Sequence, residues 1–205
     1  MNSPSYDNFP GENGEVRYGE GLFMGYRGYE HRRIRPHFPF GHGLSYTTFT
    51  LGEPTFSART IAPGDSITIS VPVTNTGPRP GSEVIQCYVA HSRPRLVRPP
   101  KELKAFAKVR LEPGESSVVQ LELNARAFAY WDPGQSDWEE VRGRQFDMFG
   151  DLSGRQARRP AGWQVDDGDY EVLVGRSSAD LVASKSVRIV REPGVDGPDV
   201  ATVVP

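Results

Sequence analysis

From Thr48 to Val190 short apolar runs alternate with clusters of turn-forming residues, the spacing expected of a β-sandwich. Phe49 to Phe56 reads as a first strand broken by Glu53-Pro54. After the turn at Ala62-Pro63-Gly64-Asp65, the residues Ile67, Ile69, Val71 and Val73 alternate with Ser66, Thr68, Ser70 and Pro72, which predicts a half-buried strand. Pro72 brings no ladder donor, so an edge strand or a bulge is expected there. The run stops at Asn75-Thr76-Gly77-Pro78, and Ile85, Cys87 and Val89 form the inward face of a third strand ending near His91. Pro99 to Leu111 fits two periods: Leu103, Phe106 and Ala107 suit a helix face, while Leu103, Ala105, Ala107, Val109 and Leu111 suit a strand, which we prefer. Glu112-Pro113-Gly114-Glu115 is a turn, and Val119, Leu121 and Leu123 supply the next inward face. Asn124 then suits the N-cap of one helical turn through Ala125 to Ala127, and Ala127 to Pro133 reads as a short strand entering a loop. The last strand is expected at Lys185 to Val190.

The clearest sign of architecture is Asp166-Asp167-Gly168-Asp169-Tyr170-Glu171-Val172. Asp-x-Gly-x-Tyr-x-(Cys or Val) is the order of a tyrosine corner, in which the Tyr hydroxyl bonds back to the backbone at a sandwich corner. Val172 stands where an antibody domain has its second Cys, and Cys87 is the only cysteine, so apolar packing alone must hold the sheets. The expected fold is therefore all-β: an immunoglobulin or fibronectin type III-like sandwich of about seven strands with an irregular N-terminal leader.

The 205 residues suffice for one domain with a leader and are too few for a (β/α)₈ barrel, which takes about 250, plus anything else. Gly (22) and Pro (18) are in excess, in keeping with many turns and ragged ends. Residues 1–45 form the leader, rich in Gly, aromatics and Arg without sustained period; 46–191 form the sandwich, with an insertion at about 132–163; 192–205 are a Pro/Gly/Asp tail expected to be disordered. Leu22, Phe23, Met24, Tyr26, Phe38 and Phe40 have no expected element to bury them, and Gly and Pro crowd the start, so a fragment of a longer protein is expected. The start has neither the charged nor the apolar region of an export signal, and no run spans a bilayer; the location expected is cytoplasmic if the chain is native as given.

Lys+Arg (24) nearly balance Asp+Glu (26), which argues against a nucleic-acid polycation. Arg93, Arg95, Arg98, Lys101, Lys104 and Lys108 form a local basic stretch that nucleic acid or an anionic polysaccharide could use, although a solvated face is the favoured account. His31, His37, His42 and His91 lack metal-ligand spacing; His42 is expected in a turn packed on the linker, with a cleft-lining place as the alternative. Cys87 is expected as a buried inert thiol. The glycines of Gly19 to Gly25 and Gly41 to Gly43 are not followed by the Lys-Ser/Thr pair of a phosphate loop. A sugar platform has four aromatic candidates: Tyr130, Trp131, Trp138 and Trp163; Trp131 is assigned to the core and the two other tryptophans to the loop.

Five segments in order, YGEGLFMGYRGYE, FPFGHGLSYTTF, RPPKELKAFAKVRLEPGES, AFAYWD and GDYEVLVGRSS, resemble the C-terminal end of glycoside hydrolase family 3, the β-glucosidase and β-xylosidase family. The resemblance runs from about Asn8 to Val190. It departs at Gly28, Tyr29 and Glu30, where an aromatic, Tyr and Asp are common, and at the longer loop around Val141 to Gly162. The resemblance implies that residues 1–45 end an α/β sandwich domain and that residues 46–191 are its fibronectin-like neighbour. It further implies retaining hydrolysis of terminal β-glycosides by a nucleophile Asp and an acid/base Glu, both upstream of this segment, without cofactor or metal. Ser136-Asp137-Trp138 copies the family's nucleophile tripeptide but falls inside the accessory insertion, so Asp137 is assigned no catalysis and no catalytic residue is named. The expected function is a non-catalytic accessory piece partnered by the upstream catalytic domains, with possible carbohydrate contact and no nucleic acid or membrane. A stand-alone sandwich module binding carbohydrate or protein is the alternative.

Overall fold

The computed structural model describes residues 3, 5, 6, 10–134 and 161–191. One sheet contains β1 (Phe49–Leu51), β2 (Thr55–Phe56), β4 (Ile67–Asn75) and β7 (Ser116–Leu123). The other contains β3 (Thr60–Ile61), β5 (Gly81–His91), β6 (Glu102–Leu111), β10 (Gly168–Gly175) and β11 (Leu181–Ile189), in the order β3-β11-β10-β5-β6. β8 (Tyr130–Asp132) and β9 (Gly162–Gln164) form a separate antiparallel pair, and α1 (Tyr26–His31) and α2 (Ala125–Phe128) are short helices. Among the described residues all strand pairings are antiparallel except β3 with β11.

The alternation read from the sequence is the alternation of burial. Ile67, Ile69, Val71 and Val73 of β4 and Val119, Leu121 and Leu123 of β7 share one apolar cluster with Ile85, Cys87, Val89, Val172, Val174 and Val187 of the facing sheet. The strand assignment for Pro99 to Leu111 holds: Leu111 is buried and Ala105, Ala107 and Val109 pack against the cluster, while Phe106 is exposed. At the corner the Tyr170 hydroxyl donates to the Asp166 carbonyl oxygen at 2.8 Å. Its ring, without solvent exposure, lies edge-on to Phe128 and His91.

Several local expectations are corrected. β4 is central, with β7 on one side and β1 and β2 on the other, so Pro72 is not on an edge strand. Its carbonyl accepts from Gly52 N–H at 2.8 Å, so its ring nitrogen faces the same side, where Gly52 to Pro54 interrupts the pairing and no donor is required. Asn124 occupies an N-cap position, but its side chain makes no capping bond. β11 starts at Leu181, four residues before the expected Lys185: in its first six residues Leu181, Ala183 and Lys185 are only half-buried and alternate with exposed Val182, Ser184 and Ser186, so no clear apolar face marks that part. The leader is irregular as expected, apart from the six residues of α1.

The buried Asn75 ends β4 and uses its amide fully. Its Oδ1 accepts from Thr47 Oγ1 (2.7 Å) and Gly77 N–H (3.1 Å), and its Nδ2 donates to the carbonyls of Arg79 (2.7 Å) and Leu111 (3.0 Å). A buried amide satisfied this way fixes the turn into β5 to the end of β6. The expected lack of support for the leader is also corrected in part: α1 docks on the region of β5 and β6. Leu103 N–H donates to the Tyr26 hydroxyl (2.8 Å), Lys101 pairs with Glu30 (2.6 Å), and the Tyr26 ring stacks on Phe40 and meets Tyr88 edge-on. Ser178 N–H donates to the Phe40 carbonyl at 2.8 Å. Leu22, Met24, Phe38, Leu44 and Tyr46 stay exposed, the last two by more than nine-tenths.

Candidate functional site

Two charged clusters, one around Glu102 and one around Arg95, occupy the side of the sandwich where β6, α2 and β8 meet. The first is set by a bulge. Between Cys87/Tyr88 of β5 the register skips from Ala105 to Leu103, leaving Lys104 as the extra residue of β6. Lys104 Nζ lies 3.4 Å from Glu102 Oε2, Arg98 Nη2 lies 3.3 Å from the same oxygen, and Arg27 of α1 reaches Oε1 at 3.1 Å. Desolvation alone would raise the Glu102 carboxyl, but Lys104, Arg27 and Arg98 outweigh it and hold the group below its usual range. Desolvation likewise lowers the Lys104 amine, with Glu102 opposing. A carboxylate surrounded in this way is kept ionised, the reverse of what a general acid needs.

The second cluster braces the tyrosine corner. Arg95 donates to the Tyr130 hydroxyl (2.7 Å), which donates to the Asp166 carboxylate (2.8 Å); Arg95 also pairs with Asp132 and lies 3.9 Å from Asp166. The Arg98 guanidinium sits 4.9 Å from the centre of the Tyr130 ring. The segment 93–98 is thus fastened to β8 and to the corner just before β10.

Between these clusters runs a cleft of about 900 Å³, lined by the 96–99 segment, the start of β6, α2, β8, Trp163 of β9 and two residues of the leader. Trp131 and Trp163 meet edge-on, Arg126 lies over the Trp163 ring, and Trp131 is 52% exposed. The expectation of a core Trp131 is therefore wrong: in the narrow β8–β9 pair its side chain is directed away from Tyr130 and Asp132, which are the buried ones. Tyr130 offers no platform, since it is buried. Trp138 and Asp137 lie outside the described residues.

The basic stretch is only in part the solvated face expected of it: Arg93 and Lys108 are exposed, but the other four are not free in solvent. Arg95, Arg98, Lys101 and Lys104 all pair with carboxylates, and all four side chains are at least two-thirds buried. The partners of Arg95 and Lys101, namely Asp132, Asp166 and Glu30, stand far off in sequence, so spacing gave no signal of those pairings, whereas Glu102 lies within four residues of Arg98 and Lys104. Cys87 is buried as expected, and desolvation pushes its thiol up to about 12, far from a nucleophile. His31 stacks on Phe23, and His42 is exposed and tilted against Phe38. His91 accepts the Arg93 N–H on Nδ1 and lies against Tyr170. Among the described residues no group of three or more His, Cys, Asp and Glu side chains could hold a metal ion.

Residues 83–153 match the family model of the fibronectin type III-like domain. The chain is 41% identical over 187 residues to thermostable β-glucosidase B of Acetivibrio thermocellus, covering 91% of this chain and 22% of that protein. It is 40% identical over 181 residues to a β-glucosidase of Rhizobium radiobacter, covering 88% and 19%. Among solved structures, a GH3 β-glucosidase of Bifidobacterium adolescentis superposes with a TM-score of 0.71 at 38% identity, over 91% of this chain and 24% of that one. The chain thus spans about a fifth to a quarter of the length of the relatives it matches.

Proposed function

The chain corresponds to the fibronectin type III-like portion of the glycoside hydrolase family 3 β-glucosidases, and on that premise we propose that it serves as a non-catalytic brace for the catalytic domains of such an enzyme. The observation that carries this reading is a leader that is anchored to the sandwich yet keeps large apolar side chains exposed. It is fastened to the sandwich through Tyr26, Glu30 and Phe40, while Leu22, Met24, Phe38 and Leu44, with Tyr46 just beyond it, are exposed. Exposed apolar surface carried on a folded domain marks a partner that covers it. The partner is the catalytic part of the same enzyme, which hydrolyses terminal β-glycosides with retention, using two carboxyl groups carried outside this chain.

A chimaera tests the reading. The matching region of the Acetivibrio thermocellus β-glucosidase is replaced by this chain, and hydrolysis of aryl β-glucoside is measured alongside a deletion and the isolated chain. The chimaera should be active, the deletion inactive, and the isolated chain inactive with or without Asp137→Ala. Leu44→Ser with Tyr46→Ser should lower the thermal midpoint of the chimaera and leave that of the isolated chain unchanged, because both residues are exposed in it. Turnover by the isolated chain that vanishes in Asp137→Ala would overturn the reading.

A further inference from the structure

The cleft beside β8 carries a charge surplus that the bracing role does not use. Arg27, Arg98, Lys104 and Arg126 line it, against Glu102 and Glu122 among the described residues. Glu102 is already shared by Arg27, Arg98 and Lys104. The Arg98 side chain is only 8% exposed, yet its Nη1 has no hydrogen-bond partner, and the same holds for Nη1 of Arg126. Buried guanidinium donors without acceptors are costly, and clustered cations with too few carboxylates raise a positive potential in the cleft. An anion in the cleft answers the potential directly; the two Nη1 atoms are enclosed in the unliganded chain and meet it once the Arg98 and Arg126 side chains turn toward the cleft. Arg in particular suits a planar carboxylate, whose two oxygens match its paired donors.

The rest of the lining narrows the anion further. Trp131, half exposed, and Trp163 stand beside the cations, and indole faces pack against flat apolar surface such as the C–H face of a pyranose ring. We propose that this cleft binds a carboxylate-bearing sugar, a uronate residue of an acidic glycan, with the carboxylate toward Arg98, Lys104 and Arg126 and the ring against Trp131. The volume of about 900 Å³ falls in the range of small-ligand sites. This inference does not depend on the bracing role, since it concerns only side chains of the sandwich and its leader.

The test is calorimetric titration of the full chain with tri-galacturonate, cellotriose and inorganic phosphate in parallel. Tri-galacturonate should bind, more weakly as salt is raised, and the two others should not. Arg98→Gln should weaken binding about ten-fold or more, as expected for losing a charge-assisted bond. Arg98 is buried, so Trp131→Ala, at an exposed position, provides the second variant and should weaken binding about five-fold with the circular dichroism spectrum unchanged. No heat with tri-galacturonate overturns the proposal. So does equal binding of cellotriose, which would remove the role of charge, or equal binding of phosphate unaffected by Trp131→Ala, which would remove the sugar.

Discussion

Tyr170 allows the corner to be dissected into a ring and a hydroxyl. The ring has no solvent exposure and touches Phe128 and His91, while the hydroxyl makes one bond, at 2.8 Å, to the Asp166 carbonyl. Tyr170→Phe removes the bond and leaves the ring, so it should cost about 0.5–1.5 kcal/mol. Tyr170→Ala removes both and leaves a cavity between the sheets, for about 3–5 kcal/mol. With a urea slope of about 2 kcal/mol per molar, the midpoint should fall by roughly 0.5 M for the first and about 2 M for the second. Asp166→Asn is the control, because the acceptor is backbone and survives, whereas the carboxylate facing Tyr130 and Arg95 is lost. Urea unfolding at fixed pH with fluorescence and circular dichroism together measures all three. If Tyr170→Phe and Tyr170→Ala shift the midpoint equally, the ring contributes nothing and the packing argument is refuted; if neither shifts it, the corner itself is refuted.

Burial lowers the His91 pKa despite the opposing pull of Asp166, so the folded state takes up its proton less readily than the unfolded chain, where the value is about 6.5. The unfolded state then binds more protons, stability falls as pH drops through about 6.5, and it is fully present above. Unfolding midpoints between pH 7.5 and 5.5 should show that slope, and His91→Gln should flatten it; an unchanged slope would locate the effect elsewhere. The leader is held to β6 mainly by side chains, so amide exchange in Tyr26–His31 should be much faster than in Ile67 to Val73. Lys101→Met should speed the α1 amides by roughly five-fold and leave β4 unchanged, consistent with a partly exposed ion pair of at most about 1 kcal/mol. Equal protection of leader and strands would show that α1 is integral to the sandwich.

What was legible in the sequence is what depends on neighbours along the chain. Ile67 to Val73 and Val119 to Leu123 alternate because one face of each strand is buried, and Asp166 to Tyr170 form a corner because the hydroxyl returns to a residue four positions back. What was hidden depends on distant partners. YRGYEH has no apolar period, and α1 is supported instead by Leu103 and Lys101, more than seventy residues away. Pro72 could not be placed without knowing that its neighbour strand is broken opposite it. The cleft was hidden for the same reason, since its lining joins Arg27 of α1, the 96–99 segment, Arg126 of α2, Trp131 of β8 and Trp163 of β9, which stand far apart in the chain.

The broken pairing beside Pro72 also affects how the protein behaves when crowded. A sheet edge that offers a long row of free donors and acceptors recruits strands from other molecules. Here that edge is split into β1, of three residues, and β2, of two, with Gly52 to Pro54 between them and a proline nitrogen facing the gap. An incoming strand finds no continuous ladder to extend, so this flank of the sandwich resists edge-to-edge aggregation at high concentration.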